Sequence, residues 1–586
     1  MAEKKLLLGD EAIALGAIHA GISGVYAYPG TPSTEITEFI QNNPLAKERK
    51  LHSTWCTNEK TAMEAALGMS YAGKRALVCM KHVGMNVAAD AFVNSAITGV
   101  NGGLVVLAAD DPSMHSSQNE QDSRHYAIAA KLPMLEPADA SESLSFTKLA
   151  YDISEKYDTP VFVKMCTRVA HSQSIIETSD RVETSKTYEK DGAKYIMMPG
   201  NAKRRHPIVE ARTAALTEYA ETAPFNRIED GSDHSIGIIT SSTSYQYAKE
   251  VCGDKYPVLK LGMINPLPVK KIQDFAKSVD KVIVIEELDG IIETHCRNIG
   301  VEVTGKELFS CIDELSQNIV AEKLGFTPDC GKKLDESIPA RPPVMCAGCP
   351  HRGLFYTLKK NKLTVFGDIG CYTLGAVPPL AAIDTTICMG ASVSGIHGFN
   401  KANEGKSDGK TVAVIGDSTF MHSGVTGLIN IAYNESNSTV IILDNSITGM
   451  TGHQQNPTTG FNLKGDPCTK IDLETLCRSV GIKRVRVVDP YNLKECDDAV
   501  KEELAADEPS VIISRRPCAL LKYVKHNGPI TANADKCIGC KSCMKIGCPA
   551  ISIVDGKVKI DATLCTGCGV CSQLCKFGAL PNGKES

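Results

Sequence analysis

The chain has 586 residues, several times the roughly 100 to 200 of a single domain, so several separate cores are expected. Hydrophobic residues make up 43% and charged residues 22%, with 48 Gly and 28 Pro, a globular composition that excludes disordered, collagenous and coiled-coil chains. The formal net charge is −5 with no long block of one sign, which excludes a surface built to follow a phosphate backbone, and nucleic acid is not an expected partner.

The opening MAEKKLLLGDEAIALG puts Asp10 and Glu11 where a signal peptide needs uninterrupted apolar residues. No apolar run approaches a membrane span, so a cytoplasmic chain without membrane contact is the expectation. Apolar runs without alternation recur at 75–80 (RALVCM), 102–110, 160–165 and 281–287, as in strands buried on both faces of a parallel sheet. Between them, stretches such as EKTAMEAALGMSYAG at 59–73 carry helical periodicity, so the fold class is α/β: several three-layer domains with parallel sheets. A first domain is expected over 1–180, a polar connector with some helix over 181–233, a second α/β domain over 234–328, a third over 340–522 and a cysteine module over 528–586.

The third block carries two strands that end on chemistry. TVAVIGDSTF at 411–420 runs into Gly416, Asp417 and Ser418, and STVIILDN ends at Asp444 and Asn445. Neighbouring parallel strands place Asp417 and Asn445 at the carboxyl edge of one sheet, where α/β folds bind ligands. Hard oxygen ligands and a helix N-terminus suit Mg²⁺ and a phosphate. Without further support the same residues read as two ordinary strand ends.

Cysteine is the compositional outlier, with 23 in the chain and eight of them in the last 50 residues. Clustered thiols in a reducing compartment bind metal more often than they pair. Cys537, Cys540 and Cys543 form C-x-x-C-x-x-C, with Cys548-Pro549 after four residues; Cys565, Cys568 and Cys571 repeat it, with Cys575 after three. This is close to the bacterial ferredoxin run, in which the fourth thiolate crosses to the other cluster. Two 4Fe-4S clusters are expected, one on Cys537, Cys540, Cys543 and Cys575, the other on Cys565, Cys568, Cys571 and Cys548. Paired zinc knuckles are the competing reading, and they seldom use two triplets each with a trailing Cys. The spacing before Cys548 is one residue longer than usual, and Lys576 stands where Pro often follows the last Cys.

Gly416-Asp417-Ser418 and DNSITGMTG, whose Asn445 lies 28 residues after Asp417, resemble the thiamine diphosphate signature. That resemblance assigns Asp417, the Asn445 side chain and the Ile447 carbonyl to Mg²⁺, with Ser418 where the family usually has Gly. With YPGTPSTEI at 28–36 and TNEKTAMEAALGMSYAG at 57–73, the whole chain is similar to the 2-oxoacid:ferredoxin oxidoreductases, most of all to large subunits that act on aryl pyruvates such as indolepyruvate. The resemblance implies that Glu59 hydrogen-bonds the aminopyrimidine of the cofactor, an acid/base task that needs a positioned carboxyl group. It places Thr31 beside the reacting carbon, and Arg124 in QDSRHYA against the substrate carboxylate. Judged without the resemblance, Glu59 and Arg124 read as a helix-cap acid and a solvated surface base.

The resemblance further implies oxidative decarboxylation of an aryl 2-oxoacid to its acyl-CoA, with coenzyme A as acceptor and an external ferredoxin taking the electrons. A smaller beta subunit in a heterotetramer completes the expected assembly, and the second domain is similar to the transketolase C-terminal domain. Cys346 and Cys349 in CAGCPHRG, with Cys371 and Cys518, match segments that hold a further cluster in relatives. Two readings stay open for them, a third cluster or buried thiols acting as small hydrophobes. The rival functions are a non-oxidative thiamine decarboxylase, which has no need of eight C-terminal thiolates, and an electron-transfer subunit, which has no need of the Mg²⁺ constellation.

Overall fold

The computed structural model describes residues 3–331, 336–339, 341–407 and 409–581. They form two compact units, Met1–Glu336 and Ser337–Ser586. The polar and Pro-containing segment at 327–343, expected to separate domains, lies partly outside the described residues.

In chain order the strands of the first unit are β1 (Lys4–Leu8), β2 (Gly24–Ala27), β3 (His52–Trp55), β4 (Ala76–Lys81), β5 (Leu104–Asp110), β6 (Met134–Leu135), β7 (Val161–Cys166), β8 (Gln173–Glu177), β9 (Arg227–Glu229), β10 (Gly237–Ser241), β11 (Val258–Leu261), β12 (Met263–Asn265) and β13 (Val282–Ile285). Strands β4, β5 and β7 are buried at every residue, which is why their sequences are continuous apolar runs. They form the centre of a seven-stranded sheet of order β12-β6-β7-β5-β4-β2-β3. Alternate side chains serve opposite faces. Val78 and Met80 pack with Ala62, Met63 and Phe92 of the helices Glu59–Tyr71 and His82–Thr98. Leu77 and Cys79 pack with Ile13, Ala14 and Tyr151 of Gly9–His19 and Ala140–Tyr157.

The first unit has a second sheet, four-stranded, of order β13-β10-β11-β9. Strand β9 comes from the connector and pairs antiparallel with β11, while β12 leaves the second domain and pairs antiparallel with β6 of the first sheet. The connector also holds the 24-residue helix Pro199–Thr222. Arg205 donates to Asp158 Oδ2 at 2.9 Å, and Arg212 donates to the carbonyls of Asp158 and Ala96, each at 2.8 Å. The helix Pro199–Thr222 is therefore a packed structural layer. Its charge conceals this because arginine stems cover apolar surface while the guanidinium groups satisfy carbonyls.

The second unit has β14 (Thr364–Phe366), β15 (Thr411–Gly416), β16 (Thr439–Asp444), β17 (Arg484–Val488) and β18 (Ser510–Arg515) in one sheet of order β14-β15-β16-β18-β17, with every neighbouring pair parallel. A hairpin of β19 (Ile551–Val554) and β20 (Lys557–Ile560) follows in the cysteine module. The module packs onto the sheet domain of its unit. Arg352 donates to the carbonyl of Ile546 at 2.7 Å and to that of Met345 at 2.6 Å, and Gln573 accepts from the Leu493 N–H at 3.0 Å.

Candidate active site and thiol quartets

On the second unit, β15 and β16 are adjacent and in register to their ends, Gly416 opposite Leu443. Asp417 and Asn445 therefore emerge side by side, 2% and 7% exposed. The Asn445 Oδ1 lies 3.1 Å from Asp417 Oδ1 and 2.7 Å from the Ile447 carbonyl oxygen. Three acceptor oxygens at this separation repel unless the amide turns its NH₂ toward them or a cation sits among them. Burial, with Asp444 adding to it, pushes Asp417 up to about 7, the response of a carboxylate that lacks a counter-charge. The donor set is all hard oxygen, and the residues fit Mg²⁺. The sequence did not reveal the clamp on the far oxygen of Asp417. Thr458 Oγ1 donates to Oδ2 at 2.9 Å and Asn456 Nδ2 at 3.4 Å, fixing which oxygen faces Asn445. Ser418, the departure from the family pattern, accepts from Thr448 Oγ1 at 2.8 Å and ties the two strand ends together.

On the first unit, Glu59 is the first residue of its helix, with Asn58 as the cap accepting from Thr61 N–H at 2.9 Å. Glu59 is only 5% exposed. It is a positioned, buried carboxyl group at the start of its helix. Its side chain lies against Gly84, where a Cβ would stand 2.6 Å from Glu59 Cγ and 2.8 Å from Oε1. Gly84→Ala is expected to move the carboxylate by about 1 Å and to lower kcat by about 10²-fold with thiamine binding retained; an unchanged kcat would show that Gly84 does not position Glu59. Thr31 lies in a turn pinned by Gly30, whose N–H donates to Thr34 Oγ1 at 3.0 Å and whose carbonyl accepts from Ser33 Oγ at 2.9 Å. A Cβ on Gly30 would come 3.1 Å from Lys81 Cβ. Thr31 and Glu59 thus flank one junction, where β4 ends at Lys81 and the next helix begins at His82. Lys81 and Gly84, unnoticed in the sequence, are legible there only as KHVG following a buried strand.

Arg124 is 1% exposed, so it is no surface base, and most of its N–H groups are engaged within the first unit. Nε donates to Asp122 at 2.9 Å, Nη1 to Glu286 at 2.8 Å, and Nη2 to Asp122 at 2.6 Å and to the carbonyls of Glu287 and Asp289, each at 2.8 Å. This guanidinium joins the first sheet to the loop after β13, with its Nε and Nη2 edge committed to protein acceptors. Removing one partner of a buried pair costs about 3–5 kcal/mol. Arg124→Met is therefore expected to lower the unfolding free energy by about that amount in denaturant titration; a change below about 1 kcal/mol would refute the anchoring role.

The C-terminal thiols gather as two quartets. Burial raises the Cys543 thiol, and Cys575, Cys540 and Cys537 add to the shift. Burial likewise pushes Cys571 up to about 12, reinforced by Cys568, Cys548 and Cys565. Mutual repulsion of this kind requires proximity, so Cys543 lies near Cys575, Cys540 and Cys537, and Cys571 near Cys568, Cys548 and Cys565. Backbone N–H groups already aim at the sulfurs, from Val558 to Cys537 at 3.3 Å, from Ile530 to Cys565 at 3.4 Å and from Ala579 to Cys575 at 3.2 Å. Such hydrogen bonds stabilise thiolate ligands and tune a cluster, so the residues fit iron–sulfur centres.

The remaining motif cysteines also converge. Burial, then Cys518 and Cys346, raise Cys371 to about 11; burial raises Cys349 to about 12, with Cys346 and Cys371 adding. This third group lies between the other two sites. The Cys518 N–H donates to the Asn445 carbonyl at 2.9 Å, and a Cβ on Gly449 would be 3.4 Å from Cys371 Sγ. On the other side, Cys349 lines one cavity together with Cys548, Cys565, Cys568 and Cys571.

Three regions of the chain match family models. Residues 15–226 match "Pyruvate flavodoxin/ferredoxin oxidoreductase, thiamine diP-bdg", residues 368–514 match "Thiamine pyrophosphate enzyme, C-terminal TPP binding domain", and residues 529–576 match "4Fe-4S dicluster domain". The chain is 40% identical to the indolepyruvate oxidoreductase subunit IorA of Archaeoglobus fulgidus, covering 100% of this chain and 98% of the relative. It is 40% identical to the IorA subunit of Pyrococcus horikoshii over 100% and 97%, and 36% identical to that of Methanothermobacter thermautotrophicus over 99% and 98%.

Proposed function

The chain belongs to the family of indolepyruvate oxidoreductase IorA subunits, and from that premise we propose that it decarboxylates an aryl 2-oxoacid, indolepyruvate or a similar aryl pyruvate, oxidatively to its acyl-CoA. It is an oxidoreductase of the 2-oxoacid:ferredoxin type, with thiamine diphosphate and iron–sulfur clusters as cofactors. In the proposed balance, the 2-oxoacid and coenzyme A yield acyl-CoA and CO₂, and the two electrons released reduce two one-electron ferredoxins. The IorA relatives are named as subunits, which supports a smaller partner subunit in a heterotetramer.

Thiamine diphosphate, when bound, supplies the carbanion and the electron sink. Asp417, Asn445 and the Ile447 carbonyl would hold Mg²⁺ for its diphosphate, and Glu59 would hold the proton that its aminopyrimidine exchanges. Thr31 borders the reacting centre. With Arg124 committed elsewhere, Lys81, 9% exposed and donating to the Ser116 carbonyl at 2.7 Å, is the cation assigned to the substrate carboxylate. Lys81→Met is expected to raise the KM for the 2-oxoacid about tenfold or more with thiamine content unchanged, the loss of a charge-assisted hydrogen bond; an unchanged KM removes Lys81 from this role.

The observation that carries the reading is the position of the third thiol group, Cys346, Cys349, Cys371 and Cys518. It adjoins the Asn445 loop on one side and the second ferredoxin quartet on the other, as a route for electrons leaving the thiamine site requires. Iron, acid-labile sulfide and thiamine content of the anaerobically purified complex test it, together with coenzyme A-dependent reduction of ferredoxin by indolepyruvate. About twelve iron atoms per chain support three 4Fe-4S clusters, and about eight restrict the clusters to the C-terminal module. Zinc in place of iron, or aldehyde release without coenzyme A, would overturn the oxidative reading.

A further inference from the structure

The first unit buries a carboxylate that no hydrogen bond compensates. Asp10, in the first turn of Gly9–His19, is 0% exposed, and neither Oδ1 nor Oδ2 has a partner. Glu35, in the first turn of Thr34–Asn42, also buries an unpartnered oxygen, Oε2. His171 closes the helix Thr167–His171 and points Nε2 at Glu35 Oε1, 3.9 Å away. One ligand atom from each of the three lies within 4.8 Å of the others.

The fold forces this meeting. A Cβ on Gly9 would stand 2.0 Å from the carbonyl oxygen of Val169, and the Gly9 N–H donates to the Ser172 carbonyl at 3.2 Å. Only glycine allows so close an approach, and it carries the next residue, Asp10, against the helix that bears His171. The resulting pocket sets the fully buried Asp10 beside the partly exposed Glu35, a pairing of acidic groups that needs a shared proton or a cation. Burial, then Glu35 and Glu11, hold the Asp10 carboxyl well above the usual range, so its charged form is uncompensated by protein groups. Cys79 is the other ionisable neighbour, and its thiol is also raised, by burial and then by Asp10.

We propose that Asp10, Glu35 and His171 bind one divalent transition-metal ion. Two carboxylates and an imidazole suit Mn²⁺, Fe²⁺ or Zn²⁺, whereas Mg²⁺ and Ca²⁺ favour all-oxygen sites. His171 and Glu35 are 38% and 41% exposed in their side chains, which leaves an entry path and room for water on the outer side of the ion. The ion clamps three helices, one of which begins immediately after the Thr31 turn, and it is separate from the cation of the thiamine site.

The test uses the complete complex, saturated with Mg²⁺ and thiamine diphosphate and titrated with Mn²⁺, with bound ion counted by paramagnetic resonance. The wild type is expected to bind one more tightly held Mn²⁺ per chain than Asp10→Asn or His171→Ala, and Mn²⁺ is expected to raise the thermal midpoint of the wild type alone. Exchange at the thiamine site is common to all three proteins and cancels in the comparison. Equal Mn²⁺ binding in the three would overturn the proposal. So would a metal-saturated wild type no more stable than Asp10→Asn, which keeps the shape and removes the buried charge. His171 is half-exposed and its replacement disturbs no core, so His171→Ala carries the comparison if Asp10→Asn fails to fold.

Discussion

Glu59→Gln is expected to lower kcat by about 10²- to 10⁴-fold, the range of a lost general acid/base contribution, while thiamine diphosphate content stays near that of the wild type. The glutamine has the same shape and fits the same space against Gly84, so packing is preserved and the change removes proton-holding capacity alone. Glu59 is 5% exposed, and water cannot easily substitute for its carboxylate. Deuterium exchange of the acidic ring proton of the bound cofactor should slow in parallel with turnover. If kcat falls less than about threefold, or if the variant loses its thiamine, Glu59 is not the group that handles this proton.

Cys371→Ser is expected to remove about four iron atoms per chain and to abolish ferredoxin reduction, because the third thiol group loses one ligand of a cubane. The choice of residue follows from position. Cys371 lies beside Gly449 of the loop after Asn445, so its loss interrupts the proposed path at the thiamine end. The two C-terminal quartets share no residue with this group and should keep their iron. Cys79→Ala serves as the control, since Cys79 is 1% exposed in the core between β4 and its neighbouring helices and should leave the iron content unchanged. Retention of all iron in Cys371→Ser would return Cys346, Cys349, Cys371 and Cys518 to a structural role.

The buried charges show what kind of information separates chain from fold. Arg124 has an unremarkable setting in sequence, QDSRHYA, which by itself suggests a solvated surface base. Its burial is not legible there, because its partners Glu286, Glu287 and Asp289 are more than 160 residues away. Asp10 is a similar case. Read along the chain it is a polar residue that interrupts an apolar start; in the fold it faces Glu35 and His171 from two other helices. Lys81 and Gly84 were passed over because a lysine and a glycine after a strand have no distinctive local signal.

What the chain determined by itself was everything that depends on near neighbours. The strands β4, β5, β7, β15 and β16 follow from apolar runs without alternation, and the helix Glu59–Tyr71 from its period. The two crossed quartets follow from cysteine spacing, since a cubane can be wrapped by three thiolates only within a short loop. Asp417 and Asn445 were legible because adjacent parallel strands deliver their last residues to the same edge. Tertiary structure alone decided the rest: the loan of β12 to the first sheet, the packing of the connector, the convergence of Cys346, Cys349, Cys371 and Cys518, and the fate of Arg124. These depend on contacts between residues tens to hundreds of positions apart, and their cost or gain is set by burial. A charge or thiol in water carries little information about its partners, whereas the same group out of water must be paired, protonated or ligated.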